Sequence, residues 1–418
     1  VESVDMANIE NVPFNSPDEA LIGQISGVNV TQTSGLPGSG PQIRVRGVGA
    51  VGAGSQPLYV VDGFALPQPL DGANARLRNP LTSIPPQDIE SINVLKDASA
   101  SAIYGSRASN GVVVIETKSG SAEGDPQFNL SVSNGFSSKL EFMVPDMASA
   151  QQYGEFQKTI WEDRVERGEV DQVPEVFRNP ESLGEGTNWP EIIFDRAQTR
   201  RVNLSVSGGS GSIRTFFSGG WVDQEGIQPG VGFQRVNFRA NIDAEVTDKV
   251  NAGINIAPSY SVRDQPGVRN EGRGTPLGIS LMMNPIHDAF NEEGDLIPFP
   301  AQAGPEVPGS WSHPNPLYLL KNTQDETTDF RTLLNSYLGY EVSEEFVARG
   351  RFNVDIGQSR RKFFSPSTVG STLNPPPSIP SGTEENGFRL NWLSEATLEY
   401  EGEQGPGELD ALGGFTVQ

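Results

Sequence analysis

The feature that most limits what this chain can become is the strict alternation of "RVNFRANIDAEV", residues 235–246. On an extended strand successive side chains point to opposite faces. Val236, Phe238, Ala240, Ile242, Ala244 and Val246 therefore share one face, and Arg235, Asn237, Arg239, Asn241, Asp243 and Glu245 share the other. A helix would scatter both sets around its surface. "QFNLSVSNGF", "VNAGINIAPSY", "FVARGRFNVDI" and "FRLNWLSEATLEY" repeat the pattern; in the third, Phe346, Ala348, Phe352, Val354 and Ile356 lie on the apolar side. A soluble sandwich also alternates, but its strands are shorter, about 5–6 residues, and its polar face is seldom so charged. Segments of ~10 alternating residues are the mark of a membrane-spanning β-barrel, apolar toward lipid and polar toward the lumen.

The connections test this independently. Strands are expected near 127–136, 200–208, 212–222, 233–246, 249–261, 329–342, 346–357, 388–401 and 408–418. Short links ("GSGS", "TDK", "SEE", "GEQGPG") alternate with longer ones that include 137–199, 262–328 and 358–387. Barrels of this kind carry short turns at one end and long loops at the other. A sandwich has no reason to segregate loop length in this way.

Composition removes several function classes. A net charge of −23 argues against nucleic acid, because phosphate binding needs a basic face. The absence of cysteine excludes a disulfide framework or thiolate metal site, and with two histidines, His287 and His313, a histidine zinc site or general base is not expected. No stretch approaches the ~18–20 unbroken apolar residues of a spanning helix. The opening "VESVDMANIE" has neither a basic start nor an apolar run. The expectation is a soluble protein, or a mature or clipped chain whose membrane segments are not helices. The 47 glycines and 32 prolines fit a turn-rich β protein.

Residues 1 to about 118 follow another grammar, that of a compact unit of helices and strands. "SPDEALIGQISG" places Ser16 as N-cap, Pro17 at the first helical position and Glu19 as the partner in a capping box. "VNVTQT", "IRVRG", "PLYVVDGF", which turns at Asp62-Gly63, the segment Ile92–Leu95 and "VVVIETK" read as strands. In "KDASASAIYGSRASNG", Asp97 is expected to cap a short flat helix through Tyr104, ended by Gly105. Lys96 and Ser99 lack the third group that would make them a catalytic pair, and "GLPGSGP" lacks the Gly-Lys-Ser/Thr ending of a phosphate loop. No catalytic residue and no cofactor site is assigned.

Two long strings decide the resemblance. "GVNVTQTSGLPGSGPQIRVRGVGAVGAGSQPLYVVDG" and "IESINVLKDASASAIYGSRASNGVVVIETKSG" resemble the plug domain of SusC/RagA-type TonB-dependent outer-membrane transporters, and "RRVNLSVSGGSGSIRTFFSGGWVDQEGI" resembles the early barrel of the same family. The resemblance implies an N-terminal α+β plug domain, residues 1–120, followed by antiparallel transmembrane β-barrel strands, residues 121–418, with long extracellular loops. The barrel would be an incomplete one of the ~22-strand type. It further implies import of a bulky nutrient across the outer membrane, energy from the TonB–ExbB–ExbD complex, and a SusD-like surface lipoprotein as a lid. Nothing resembling the family's TonB-contacting segment precedes Val1, and an odd strand count would leave an open edge, costly in lipid. The chain is thus expected to be a fragment that forms no closed pore alone. A non-transporting adhesin or glycan-binding barrel is the alternative.

Site residues follow from that frame. Arg44 and Arg46 share one face of a strand and Arg107 leaves the loop after the flat helix, so these three are expected to lock the plug to inward barrel carboxylates such as Asp243, Glu245, Asp355 and Glu395. The planar guanidinium binds carboxylates bidentately and stays charged. Trp161, Trp189, Trp311 and Tyr318, with Phe290, lie in the long loops as substrate-facing aromatics, against the bland reading that each packs its own loop. The acidic runs "NEEGDL" and "QDETTD" lack a spaced ligand pattern for calcium and read as solvated loop charge.

Overall fold

A computed structural model describes residues 2–5, 14, 16–32, 34–45, 56–67, 80–97, 102–120, 125–141, 144–267, 274–300, 313–370, 374–404 and 407–418. In the first part, β1 (Glu2–Asp5), β6 (Ile89–Leu95), β7 (Val112–Thr117), β4 (Leu58–Val61) and β5 (Phe64–Ala65) form a five-stranded sheet in that order, and β2 (Val28–Thr31) pairs with β3 (Gln42–Val45) beside it. β4 runs parallel to β7 and the other pairs are antiparallel. Strand β4, "LYVV", is buried at every position, as a strand covered on both faces is.

The second part is a meander of nine strands in sequence order: β8 (Gln127–Ser137), β9 (Ala197–Ser210), β10 (Ile213–Glu225), β11 (Gly232–Thr247), β12 (Val250–Asp264), β13 (Gln324–Glu341), β14 (Phe346–Ser365), β15 (Ser381–Gln404) and β16 (Gly407–Val417). The sheet is open, with β8 and β16 at its edges. Its outer face is apolar and bare: Phe128 is 77% exposed and Phe238 48%. Arg235, Asn237, Arg239, Asn255, Arg263 and Asp355 on the inner face are buried. A soluble protein would reverse that arrangement. The inner face wraps the first domain, and the core of Ile43, Tyr59, Ile92 and Ile115 extends to Ala257 and Leu333 of the wall.

Three local expectations change. Pro17–Leu21 is a 3-10 turn, and the Glu19 N–H bonds the Ser16 carbonyl at 3.1 Å, so it is not available to the Ser16 hydroxyl and no capping box forms. The stretch before Gly111 is a 3-10 segment, Ala102–Ala108, interrupted at Gly105 with φ +64°, rather than a helix closed by it; residues 98–101 lie outside the described residues. The "QDETTD" run is not loop but the start of β13, where Asp325 is held by Arg361 of β14 at 2.9 and 3.0 Å. In "NEEGDL", Asn291 Oδ1 accepts from the N–H groups of Glu293 and Asp295, an Asx turn.

The long loops carry structure of their own. A helix, Ala150–Glu166, opens on a capping box between Ser149 and Gln152. Short helices Trp189–Ile192, Pro276–Met282 and Pro316–Asn322 assemble small apolar cores at the long-loop end.

Candidate functional site

One buried cluster ties the first domain to the wall. Arg239 of β11 faces inward and is 2% exposed. Its Nη1 donates to Thr117 Oγ1 and Asn255 Oδ1, each at 3.0 Å, and lies 3.5 Å from Asp62 Oδ2, while Nε lies 3.7 Å from Asp88 Oδ2. Asn255 Nδ2 donates to Asp62 Oδ2 at 2.7 Å, and Thr117 donates to Asp62 Oδ1 through its N–H (2.9 Å) and its hydroxyl (3.0 Å). Ser218 of β10 donates to Asp88 Oδ2 at 2.7 Å. Strands β10, β11 and β12 and three separate segments of the first domain thus converge on one guanidinium.

Local sequence puts each partner there. Asp62 and Gly63 both have positive φ, +48° and +80°, the primed turn that joins β4 to β5 and sets Asp62 beside the end of β7. The prolines of "IPPQD" start the 3-10 turn Pro86–Asp88 that delivers Asp88. Burial pushes the Asp88 carboxyl above the usual aspartate range, and the Arg239 guanidinium, with the Ser218 hydrogen bond, pulls it back.

Further anchors run in the same direction, from wall side chain to domain backbone. Arg235 donates to the Thr82 carbonyl. Arg331 donates to the Pro80 carbonyl at 2.5 Å while gripping Asp355 at 2.8 and 3.2 Å. Asn241 reaches the Lys118 carbonyl at 3.3 Å, and Arg263 the Gly38 carbonyl at 3.2 Å. Gly38 has φ +69°, and a Cβ there would meet the Phe233 ring at 2.4 Å, so this close approach requires glycine. Most of these contacts are hydrogen bonds and ion pairs, which water can replace when the two parts separate. No group of His, Cys, Asp or Glu that could hold a metal occurs among the described residues.

The comparisons give this architecture its family. The model of the TonB-dependent receptor plug domain matches residues 1–112. TonB-dependent receptor P26 of Formosa agariphila is 31% identical over 423 residues, covering 100% of this chain and 39% of that protein. TonB-dependent receptor SusC of Bacteroides thetaiotaomicron is 34% identical over 295 residues, 68% of this chain and 26% of SusC. The chain belongs to the SusC/RagA-type TonB-dependent receptors. The RagAB peptide importer in its closed-closed state shares the fold, with a TM-score of 0.77 and 24% identity over 99% of this chain and 46% of that one. The receptor chain spans less than half the length of these relatives. Its first domain is the plug, and its open sheet is wall of the barrel type.

Two of the three expected lock residues lie at the surface. Arg44 is exposed and its guanidinium donates to Gln42 of its own strand at 3.4 Å. Arg107 is exposed, and Arg46 lies outside the described residues. The barrel carboxylates named as their partners are engaged within the wall: Asp355 by Arg331 and Arg389, Asp243 by the Tyr337 hydroxyl at 2.8 Å, and Glu395 by Arg351 at 3.7 Å; Glu245 is exposed. The arginines that cross the interface, Arg235, Arg239, Arg263 and Arg331, come from the wall.

The loop aromatics divide. Trp189 is 1% exposed, packed among Ile279, Met283 and Ala289, with Nε1 donating to the Asn284 carbonyl at 2.9 Å. It is the core of its loop and offers no face to a substrate, because burying a ring of that size is what organises the small loop domain. Trp161 is half-buried under the Arg164 guanidinium, 4.4 Å from its ring centroid. Tyr318 is half-buried on the helix Pro316–Asn322, Phe290 is exposed, and Trp311 lies outside the described residues.

Proposed function

We propose that this chain is the plug and adjoining wall of an active importer of a bulky nutrient, an oligosaccharide or a peptide, in the outer membrane of a Gram-negative cell. The observation that carries the reading is the Arg239 cluster: a folded domain occupies the polar side of a membrane-type sheet and is tied to it by groups that water can replace. Such a domain closes the passage at rest and can withdraw without stripping a large apolar surface. The TonB–ExbB–ExbD complex would supply the energy, and a SusD-like surface lipoprotein would cover the long-loop end. The relatives named SusC and RagAB support this, the latter being a peptide importer.

Deleting the gene in its native host and scoring growth on single oligosaccharides and on peptides tests import. The expected result is loss of growth on one nutrient class, restored by the full-length gene. Co-purification in mild detergent should recover a lipoprotein with the receptor. Unimpaired growth of the deletion strain on every class, where the parent strain carries the receptor at its surface, would instead support an adhesin or static glycan binder.

A further inference from the structure

On the short-turn side of Arg239, between the plug and strands β11–β14, lies a cavity of ≈ 540 Å³, within the ~300–1,000 Å³ range of ligand pockets. Sheet register sets Asn241, Asn255, Asn335 and Asn353 side by side across its wall, one from each strand. The next inward row holds Asp243, Gly253, Tyr337 and Arg351. A Cβ on Gly253 would sit 2.2 Å from Tyr337 Cε1, so the ring lies across a position that only glycine leaves open. The Tyr337 hydroxyl donates to Asp243 Oδ1 at 2.8 Å, which fixes the ring against the wall.

The four amides are of two kinds. Asn241 and Asn255 bond the plug, at the Lys118 carbonyl and at Asp62. All four line the cavity, but Asn335 and Asn353 are not bonded to the plug; Asn353 is 5% exposed, and Asn335 Oδ1 is buried with no hydrogen-bond partner. A buried amide oxygen left without a partner costs about 1–3 kcal/mol. Water in a polar cavity would relieve that cost and is the bland explanation. It does not explain a tyrosine pinned flat by a carboxylate over a glycine beside a row of amides.

That combination fits one ligand chemistry. A pyranose presents an apolar C–H face, which packs on an aromatic ring, and a rim of hydroxyls that both donate and accept, as asparagine amides do. Arg349 and Arg351 are paired with Glu399 and Glu395, so the wall offers no unopposed charge to an anionic ligand. An extended peptide would need pockets for alternate side chains, which an amide row does not supply. We propose that this cavity is a transit subsite for a neutral oligosaccharide, completed when plug withdrawal frees Asn241 and Asn255 to join Asn335 and Asn353. The proposal rests on the import reading and adds to it a substrate class and a point of contact between plug and wall.

The test is uptake by the full-length receptor in cells, using radiolabelled neutral hexasaccharides and, separately, hexapeptides. The subsite acts after capture, so Tyr337→Ala and the double variant Asn335→Ala/Asn353→Ala should lower the maximal rate of hexasaccharide uptake at least about fivefold with little change in half-saturation. Tyr337→Phe keeps the ring and should retain most of the rate. Unchanged rates in both alanine variants at normal surface levels would overturn the subsite. Wild-type uptake of hexapeptides alone would overturn the sugar assignment and leave import standing. Uptake of neither mixture would overturn the import reading and the subsite with it.

Discussion

At the scale of residues, Arg239 decides whether the plug is held. It lies 3.5 Å from Asp62 and 3.7 Å from Asp88 of the plug, in a setting where it is almost fully enclosed. Removing one partner of such a buried pair costs about 3–5 kcal/mol, because the other charge stays behind. Arg239→Gln should therefore loosen plug docking by roughly that amount at pH 8. Burial already raises the Asp88 carboxyl, and the substitution removes the largest influence holding it down. A group raised in the docked state favours docking at low pH and loses that contribution as pH rises through its docked value. The deficit of Arg239→Gln should accordingly shrink as the pH falls and Asp88 takes up a proton. Hydrogen exchange of plug amides in the detergent-solubilised full-length receptor reads this directly; a deficit that is constant or grows as the pH falls would contradict it. The face on which Arg239 sits was legible from alternation, since Arg235, Asn237 and Arg239 read as inward. Its partners were not, because Asp62 and Asp88 are over a hundred residues away in sequence and come together only by register and turn geometry.

At the scale of elements, the strands were legible where lipid imposes alternation and obscured where it does not. Each of the nine was anticipated, but β14 was expected to stop near 357 and runs to Ser365, and β15 begins at Ser381 rather than 388. Outside the apolar band these strands are held by cross-strand ion pairs such as Arg360–Glu384 at 2.8 Å and Arg361–Asp325, which carry no hydrophobic period. The helix Ala150–Glu166 went unread although Ser149 and Gln152 spell a capping box, because its low amphipathicity hides it between long-loop neighbours. The loop carrying Gly38 gives a prediction at this scale. Leu36 packs on the outer-loop core of Ile193, Val231, Leu317 and Leu320, while Gly38 is clasped by Gln224, Arg263 and Phe233. Gly38→Ala adds a Cβ in the left-handed region, about 1–2 kcal/mol, as well as a clash with Phe233. It should speed proteolytic cleavage of the 34–40 loop in the full-length receptor severalfold. Gly35→Ala, with nothing within 4 Å of its Cβ, should leave the rate unchanged. Equal rates for the two variants would show that the clasp does not hold the loop.

At the scale of the whole molecule, the sheet is apolar outside and largely polar inside, and the plug is a domain with an apolar core that touches the wall at Ala257 and Leu333 and is otherwise tied to it through polar anchors. The plug strings in the sequence carried that architecture. The direction of its anchoring came only from the structure. Arginines had been expected to reach outward from the plug at 44, 46 and 107; those that cross the described interface reach inward from the wall at 235, 239, 263 and 331. Leakage of a large antibiotic through the full-length receptor in cells distinguishes the two directions. With surface levels held equal, the Arg239→Gln/Arg331→Gln receptor should leak and the Arg44→Ala/Arg107→Ala receptor should stay sealed. A sealed Arg239→Gln/Arg331→Gln receptor, or a leaking Arg44→Ala/Arg107→Ala receptor, would contradict a plug held from the wall.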